Sequence, residues 1–339
     1  MEAKQWIGID IHKRQFTVCR IVTSGEQEIK KYPRDAAGFE EFGNVLDEET
    51  VIGIESTCWT RHFAMQFKDR VKDILIFNTV DLKHLMSRIK KNDKNDAAAI
   101  AKVIRLYNKA DLCLSHLHND AAAETLMLLR MRENLVSEIT SLRNCLRSNV
   151  EGSGFELPKN FYYDPEKDRA FLRTLPVGEI MGEAMMRLYD TIDGCRNAAL
   201  ELEALCKKAN ENNEYYRALK NEVSGVGNIT AAYLAAKIED IGRFDSPKKL
   251  SAYLGMVPRV VESDGKRVNC GITKRGNRTL MRLLVQSAWS AVNHHTKYEE
   301  YFNRLVTRKP RQKAIIAVAR KIIVEVFYVL KNVKALAAA

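Results

Sequence analysis

The spacing of apolar residues constrains the fold most, and it changes about a third of the way along the chain. Residues 4 to 22 alternate between apolar and polar side chains, which is typical of half-buried β-strands. A tight connection at residues 10–13 splits this stretch and predicts two adjacent strands. From about residue 116 to residue 221 the spacing follows the helical period instead. The chain therefore predicts a domain with a β-sheet, followed by long helices.

The N-terminal region predicts a specific kind of sheet. A third strand is expected at residues 28–32 and a helix near residues 38–46. Short apolar runs at residues 51–54 and 74–77, separated by a helical stretch, are typical of buried parallel strands. Antiparallel strands followed by β-α-β units favour a ribonuclease-H-like, or RuvC-like, α/β domain.

The remainder of the chain predicts an all-α region in two parts. Leu128, Leu135 and Leu142 form a short heptad pattern, and a second helical run follows a connector at residues 152–164. Two long helices that fold back on each other, helices that pair between subunits, or ordinary core helices would each explain this pattern. Further helices are expected at 279–293 and 312–330. We expect an α/β domain at 1–113, a helical coiled-coil segment at 114–221 and a mainly helical domain at 222–332.

Charge favours a polyanionic partner. The net charge is +11, and from Arg243 to the end the chain has 20 Lys and Arg against 6 Asp and Glu. A basic C-terminal third on a nearly neutral body is typical of nucleic-acid binding. The seven cysteines contain no CxxC pair, which predicts reduced thiols in a cytoplasmic protein. No apolar run is long enough for a membrane span and no signal peptide is visible, so no membrane partner is expected.

Four carboxylates occupy positions that would converge in a ribonuclease-H-like fold. Asp10 ends the first predicted strand and Glu55 ends the strand at 51–54, while Asp93 and Asp96 begin a predicted helix. Clustered carboxylates cannot all remain ionised without cations. Mg²⁺, with Mn²⁺ as the alternative, prefers such oxygen ligands and would activate a hydroxyl for attack on a phosphate. We therefore expect these four residues to be metal ligands and catalytic.

A basic segment near the C-terminus carries one serine. Ser263 begins a Ser-Asp-Gly sequence and is followed by cations suited to phosphate contacts: Lys266, Arg267, Lys274, Arg275 and Arg278. From the residues alone Ser263 is either a turn residue or a nucleophile. The cations either follow the nucleic-acid backbone without specificity or contact the reacting phosphate. Farther upstream, Gly225 and Gly227 precede a helical run, a pattern that can present backbone amides to a phosphate but more often caps a helix.

Taken together, the motifs of this chain resemble those of the IS110 family of bacterial insertion-sequence transposases, including its IS1111 branch, and the related site-specific DNA invertases. The motifs that carry the resemblance are Gly8-Ile9-Asp10-Ile11-His12-Lys13, Gly53-Ile54-Glu55-Ser56-Thr57, Lys91-Asn92-Asp93-Lys94-Asn95-Asp96-Ala97, Gly225-Val226-Gly227, Arg243-Phe244, Tyr253-Leu254-Gly255-Met256-Val257-Pro258, Ser263-Asp264-Gly265-Lys266 and Gly271-Ile272-Thr273-Lys274-Arg275-Gly276-Asn277-Arg278. The resemblance covers nearly the whole chain.

The resemblance implies an active site in two parts. It assigns a DEDD tetrad to Asp10, Glu55, Asp93 and Asp96, and a nucleophilic serine to Ser263. It also implies a coiled-coil segment that supports a dimer or tetramer, double-stranded donor and target DNA as substrates, and a structured noncoding guide RNA that pairs with both. Many relatives have glycine after the nucleophile. This chain has Asp264, whose carboxylate would repel a phosphate unless it faces away or helps to hold a cation.

The expected function is therefore a DNA transposase or recombinase that cuts and rejoins strands through a Mg²⁺-assisted serine. Two alternatives remain open. One is a hydrolytic two-metal nuclease, such as a Holliday junction resolvase, in which Ser263 is structural. The other is a nonenzymatic nucleic-acid-binding protein with a degenerate nuclease fold. A sugar-kinase-like or actin-like ATPase is disfavoured, because the glycine-rich phosphate loops of those proteins are missing from the sequence.

Overall fold

A computed structural model describes residues 3–78, 82, 93–112, 114–263, 266–272 and 277–338. For residues 93, 94, 110, 258–263, 266–272 and 338 it describes the backbone only. The chain divides into two compact units, Met1–Leu117 and His118–Ala339. The predicted boundary between a segment at 114–221 and a domain at 222–332 stays a prediction.

The first unit contains one six-stranded sheet in the order β3-β2-β1-β4-β5-β6. Its elements are β1 (Gln5–Ile11), β2 (Gln15–Val22), β3 (Gln27–Pro33), α1 (Ala36–Gly43), β4 (Thr50–Glu55), α2 (Thr60–Phe67), β5 (Asp73–Phe77), α3 (Asp93–Leu106) and β6 (Leu114–Ser115). Strands β1, β4 and β5 are parallel, and β2, β3 and β6 pair antiparallel with their neighbours. The predicted order of three antiparallel strands followed by β-α-β units is confirmed, and it is consistent with a ribonuclease-H-like domain.

The alternation along β1 and β2 gives the sheet two apolar faces. On one face Phe16 stacks on Tyr32 with ring centroids 5.3 Å apart and meets Phe42 and Phe63 edge to face. This aromatic cluster fixes α1 and α2 against that face. On the opposite face, small residues of α3 pack against Cys19 and other residues of β2. The sheet is therefore covered by helices on both faces, as expected for buried parallel strands.

The second unit is mainly helical. Its elements are α4 (Asp120–Gly152), α5 (Pro165–Thr174), α6 (Glu179–Ala209), α7 (Glu214–Glu222), α8 (Asn228–Ile238), α9 (Pro247–Tyr253), β7 (Pro258–Ser263), β8 (Lys266–Ile272), α10 (Arg278–His294), α11 (Thr296–Val306) and α12 (Arg311–Ala338). Helices α7 to α12 enclose one large apolar core. The β7–β8 hairpin was not predicted. Within the described part of the chain, no helix is long and apolar enough to cross a membrane.

The two long helices α4 and α6 fold back on each other within the chain, which is one of the arrangements that the heptad pattern allowed. Arg132 of α4 forms an ion pair with Glu203 of α6 at 3.2 Å. Near the other end of the pair, Leu146 is buried in one cluster with Tyr189. These two contacts require the helices to run antiparallel. The leucines of the heptad are only half-buried, because the buried stripe follows neighbouring positions such as Ile139 and Leu146.

Candidate active site

Asp10 and Glu55 lie at the same level on adjacent parallel strands. The register pairs Ile9 of β1 with Ile54 of β4, and each carboxylate is the next residue of its strand. Side chains two residues apart on a strand project from the same face, so Asp10 shares a face with Gly8 and Glu55 shares it with Gly53. Neighbouring strands lie about 4.8 Å apart. The two carboxylates therefore project side by side near the C-terminal ends of β1 and β4. We call this end of the sheet the carboxylate edge.

Helix α3 covers the face from which these carboxylates project. A Cβ atom on Gly8 would lie 2.0 Å from the carbonyl oxygen of Ala97, and one on Gly53 would lie 2.7 Å from Cγ2 of Ile100. The helix backbone can pack this closely only because both strand positions are glycine. The two glycines of the N-terminal motifs thus bring α3 directly against the strands that end in carboxylates.

The direction of α3 places its N-terminus at the carboxylate edge. Arg105, near the C-terminus of the helix, lies 5.6 Å from the ring of Trp6, which is near the start of β1. It also donates to the carbonyl oxygen of Thr23, directly after the end of β2. The helix therefore runs antiparallel to β1, and its first turn lies near the strand's C-terminal end. That turn contains Asp96, which is half-buried, and begins at Asp93, of which only the backbone is described.

The residues at this edge fit a hard divalent cation. Their donors are carboxylate oxygens, which Mg²⁺ and Mn²⁺ prefer. Thr17 is the cross-strand partner of Asp10 and is fully buried. Among the described residues its hydroxyl has no hydrogen-bond partner, an arrangement that costs free energy. A water molecule bound to a cation beside Asp10 would satisfy that hydroxyl.

His12 belongs to the same edge, and the sequence analysis did not assign it a role. Its Nε2 atom lies 3.1 Å from Oδ2 of Asp10, whose side chain is only 17% exposed. His12 directly follows β1, and its amide still donates to Gln15 of β2. The alternation of the strand, continued by one residue, places its side chain on the same face as Asp10. That spacing was the signal that would have identified His12. The contact orients the carboxylate, a role that residues around metal ligands commonly have.

The chain around Glu55 is held by the loop that follows it. The hydroxyl of Thr60 donates to the carbonyl oxygen of Glu55 at 2.6 Å, and the amide of Ser56 donates to the carbonyl oxygen of Phe77 on β5. Both bonds fix the backbone at the point where β4 ends. The Glu55 carboxylate is therefore attached to a backbone position that is held by hydrogen bonds, rather than to an unsupported loop.

The second unit contains Ser263 and the basic residues. Ser263 is the last residue of β7 and pairs with Lys266, the first residue of β8, while Arg267 pairs with Glu262. Asp264, Lys274 and Arg275 lie outside the described residues. Arg278 is exposed at the first position of α10. The serine thus lies at one end of a two-stranded antiparallel ribbon.

Comparison with protein families matches both units. A DEDD-type transposase model of the IS110 group matches residues 7–153, and a model described as "Transposase IS116/IS110/IS902 family" matches residues 218–303. The first region includes Asp10, Glu55, Asp93 and Asp96, and the second includes Ser263. Together the two models match more than half of the chain.

Two curated relatives are similar to the chain over much of its length. The transposase for insertion sequence element IS1111A of Coxiella burnetii is 30% identical over 240 residues, which are 68% of this chain and 64% of the relative. The transposase for insertion sequence element IS1328 of Yersinia enterocolitica is 27% identical over 212 residues, or 58% and 59% of the two chains. The chain thus spans less than two thirds of the length of either relative. With both family models matched in order, the chain belongs to the IS116/IS110/IS902 family of transposases.

Proposed function

We propose that the protein is a DNA transposase that cuts and rejoins DNA strands through a covalent bond to Ser263. The observation that carries the proposal is the carboxylate edge of the first unit, where Asp10 and Glu55 end adjacent parallel strands. The first turn of α3, which contains Asp93 and Asp96, begins at the same edge. Family membership supports a role in transposition.

The chemistry follows from the residue types. A divalent cation held by the four carboxylates, Mg²⁺ in this proposal, would lower the pKa of an attacking hydroxyl and neutralise charge on the phosphate. Ser263 Oγ attacks the phosphorus atom and loses its proton as the phosphoserine ester forms. The bond from phosphorus to the leaving strand breaks, and that strand leaves with a protonated hydroxyl. A hydroxyl of another DNA strand then attacks the ester, rejoins the DNA and releases the serine.

The basic residues of the second unit would bind the strands on either side of the reacting phosphate. In this proposal the phosphate contacts come from Lys266, Arg267, Lys274, Arg275 and Arg278. Arginine suits this role because its guanidinium makes two parallel hydrogen bonds to a phosphate. These contacts are not specific for a base sequence. We therefore also propose that a structured guide RNA selects the donor and target DNA. We further propose that the protein acts as a homo-oligomer.

Trapping the covalent intermediate tests the proposal. The protein is incubated with Mg²⁺, a DNA that carries its own gene with both flanks, and RNA transcribed from those flanks. We expect a protein–DNA adduct that survives denaturation and disappears in Ser263→Ala and in Asp10→Ala, although both variants still bind DNA. Ser148→Ala is the matched control, because Ser148 is an exposed serine of the same unit.

Two outcomes of this experiment would contradict the proposal. Cleaved DNA without an adduct, with full activity in Ser263→Ala, would identify a hydrolytic nuclease. DNA binding without any cleavage, unchanged in Asp10→Ala, would identify a nonenzymatic binding protein.

The guide RNA is tested separately. RNA that copurifies with the wild-type protein and maps to the flanks of its gene would support a guide, whereas full strand exchange by RNA-free protein would exclude it.

A further inference from the structure

The chain segments that enter and leave the β7–β8 hairpin are both tied to one face of α8. Before the hairpin, the hydroxyl of Tyr253 donates to the carbonyl oxygen of Lys237 at 3.1 Å. After it, Nδ2 of Asn277 donates to the hydroxyl of Tyr233 at 2.9 Å. Tyr233 and Lys237 are four residues apart and share a helix face. Residues 253 and 277, which flank the hairpin in sequence, are therefore both held at the face of α8 that contains Lys237.

Three cations gather at this place. Lys237 is half-buried. Arg243 is held rigidly: its Nη1 donates to the carbonyl oxygen of Ile238 at 3.0 Å, and its guanidinium lies 5.3 Å from the ring of Tyr253. Arg130 of α4 is exposed, and it directly follows Leu129, which is buried in the same apolar cluster as Tyr233 of α8. A lysine and two arginines thus lie on three elements that pack together: α4, α8 and the segment after α8.

The acids of the neighbourhood are engaged elsewhere. Glu133 bonds to Arg282 at 2.8 Å, and Asp240 bonds to Lys334 at 2.7 Å. Glu239 accepts from the backbone amide of Asn119 and lies 3.0 Å from the ring of His118. Within the described part of the chain, none of the three clustered cations forms an ion pair with a carboxylate.

This arrangement is unfavourable in the free protein. Burial lowers the pKa of Lys237, and the charges of Arg130 and Arg243 lower it further. Natural proteins rarely hold a partly buried ammonium without a counter-charge. A bound anion would reverse both effects, because it would replace lost hydration and screen the cations from one another.

We propose that Lys237, Arg130 and Arg243 bind a backbone phosphate of the nucleic acid that the β7–β8 hairpin engages. A phosphodiester fits because its two non-bridging oxygens share one negative charge and can accept hydrogen bonds from these cations. The hairpin itself is bordered by basic residues, and the C-terminal third carries a strong positive balance. The inference rests on the proposed function only in taking the bound polyanion to be a nucleic acid. It requires neither DNA cleavage nor the chemistry of Ser263.

Nucleic-acid binding as a function of salt tests this site. Fluorescence anisotropy is measured with a random-sequence DNA duplex and, separately, with a hairpin RNA of similar length. We expect Lys237→Met and Arg130→Gln each to weaken binding about tenfold and to reduce the slope of log K against log salt by about one. Lys237→Arg should retain most of the affinity. Lys159→Met, an exposed lysine of the same unit, should leave affinity and slope unchanged.

The two probes identify the source of the phosphate. Loss confined to the duplex assigns the site to DNA, loss confined to the hairpin assigns it to RNA, and loss with both assigns it to a shared backbone contact. Unchanged affinity and slope for both probes, in variants whose circular dichroism matches the wild type, would overturn the proposal. The assay measures binding without strand cleavage, so its outcome does not depend on the chemistry proposed for Ser263.

Discussion

Thr17 lies directly opposite Asp10 on the neighbouring strand, with its side chain completely buried. Among the described residues its hydroxyl has no hydrogen-bond partner. A threonine hydroxyl in such a place is unfavourable unless something binds beside it. We therefore expect the stability of the sheet to depend on occupancy of the carboxylate edge, which denaturation experiments can measure.

The first prediction is that Thr17→Val stabilises the metal-free protein and reduces the stabilisation that metal provides. Without divalent metal, removal of the unpaired hydroxyl should raise the free energy of unfolding by about 1 kcal/mol. The additional stabilisation that Mn²⁺ provides should shrink in the variant. Urea denaturation with and without Mn²⁺ measures both effects. Thr60→Val is the matched control: Thr60 is also buried but donates to the carbonyl oxygen of Glu55, so its loss should destabilise the protein in both conditions.

The second prediction concerns the carboxylates themselves. Asp10→Asn should abolish the increase in melting temperature that Mg²⁺ or Mn²⁺ produces, and it should abolish metal-dependent DNA cleavage, because it removes a charged ligand from the edge. Chelation by EDTA should have the same effect on the wild type. Asp69→Asn, an exposed carboxylate of the same unit, should behave as the wild type. Metal-induced stabilisation that persists in Asp10→Asn would place the cation elsewhere.

The third prediction concerns His12, whose ring contacts the Asp10 carboxylate. His12→Ala should raise the Mn²⁺ concentration needed for half-maximal cleavage by about tenfold, because supporting residues of this kind typically contribute 10- to 100-fold. The maximal rate at saturating metal should change much less. His12→Gln should recover part of the loss, since its amide can still donate. His62 is an exposed histidine of the same unit. An equal rise in the required Mn²⁺ concentration in His62→Ala would argue against the role of His12 in orienting Asp10.

The fourth prediction tests the close packing of α3 on β1. Gly8→Ala should destabilise the protein by about 3 kcal/mol, because the added Cβ would lie 2.0 Å from the backbone oxygen of Ala97. Gly194→Ala should have the opposite sign and stabilise by about 0.5–1 kcal/mol, since Gly194 lies within α6 and nothing is within 4 Å of its added Cβ. Chemical denaturation of both variants checks the pair.

The fifth prediction concerns Lys237 and pH. Its pKa is lowered from 10.5 in the folded state, chiefly by burial, so between the two pKa values the unfolded chain binds more protons. The stability that this residue contributes therefore rises with pH and levels off above 10.5. Lys237→Met should be more stable than the wild type at neutral pH, and the difference should shrink as the pH rises. A difference that does not depend on pH would contradict the cause assigned to the shift.

Much of the first unit was predictable from local patterns. The alternation of residues 4 to 22 predicted β1 and β2, and the short apolar runs predicted β4 and β5 within one residue at either end. Periodicity predicts these strands because each strand must bury one or both faces, and that burial requires apolar residues at regular positions along the strand. The β7–β8 hairpin was missed, because it lies in a segment dominated by charged and turn-forming residues rather than by an alternating pattern.

By itself the sequence determined which residue types end the strands, where the helices run and where positive charge accumulates. The tertiary structure alone decided which of those residues meet. Strand register sets Asp10 beside Glu55, and the antiparallel course of α3 brings its first turn to the same edge. Packing of α4 and of the segment after α8 against α8 brings Arg130 and Arg243 to the neighbourhood of Lys237. The physical reason is that periodicity and composition are local, whereas neighbours across a sheet or between helices depend on contacts between distant parts of the chain.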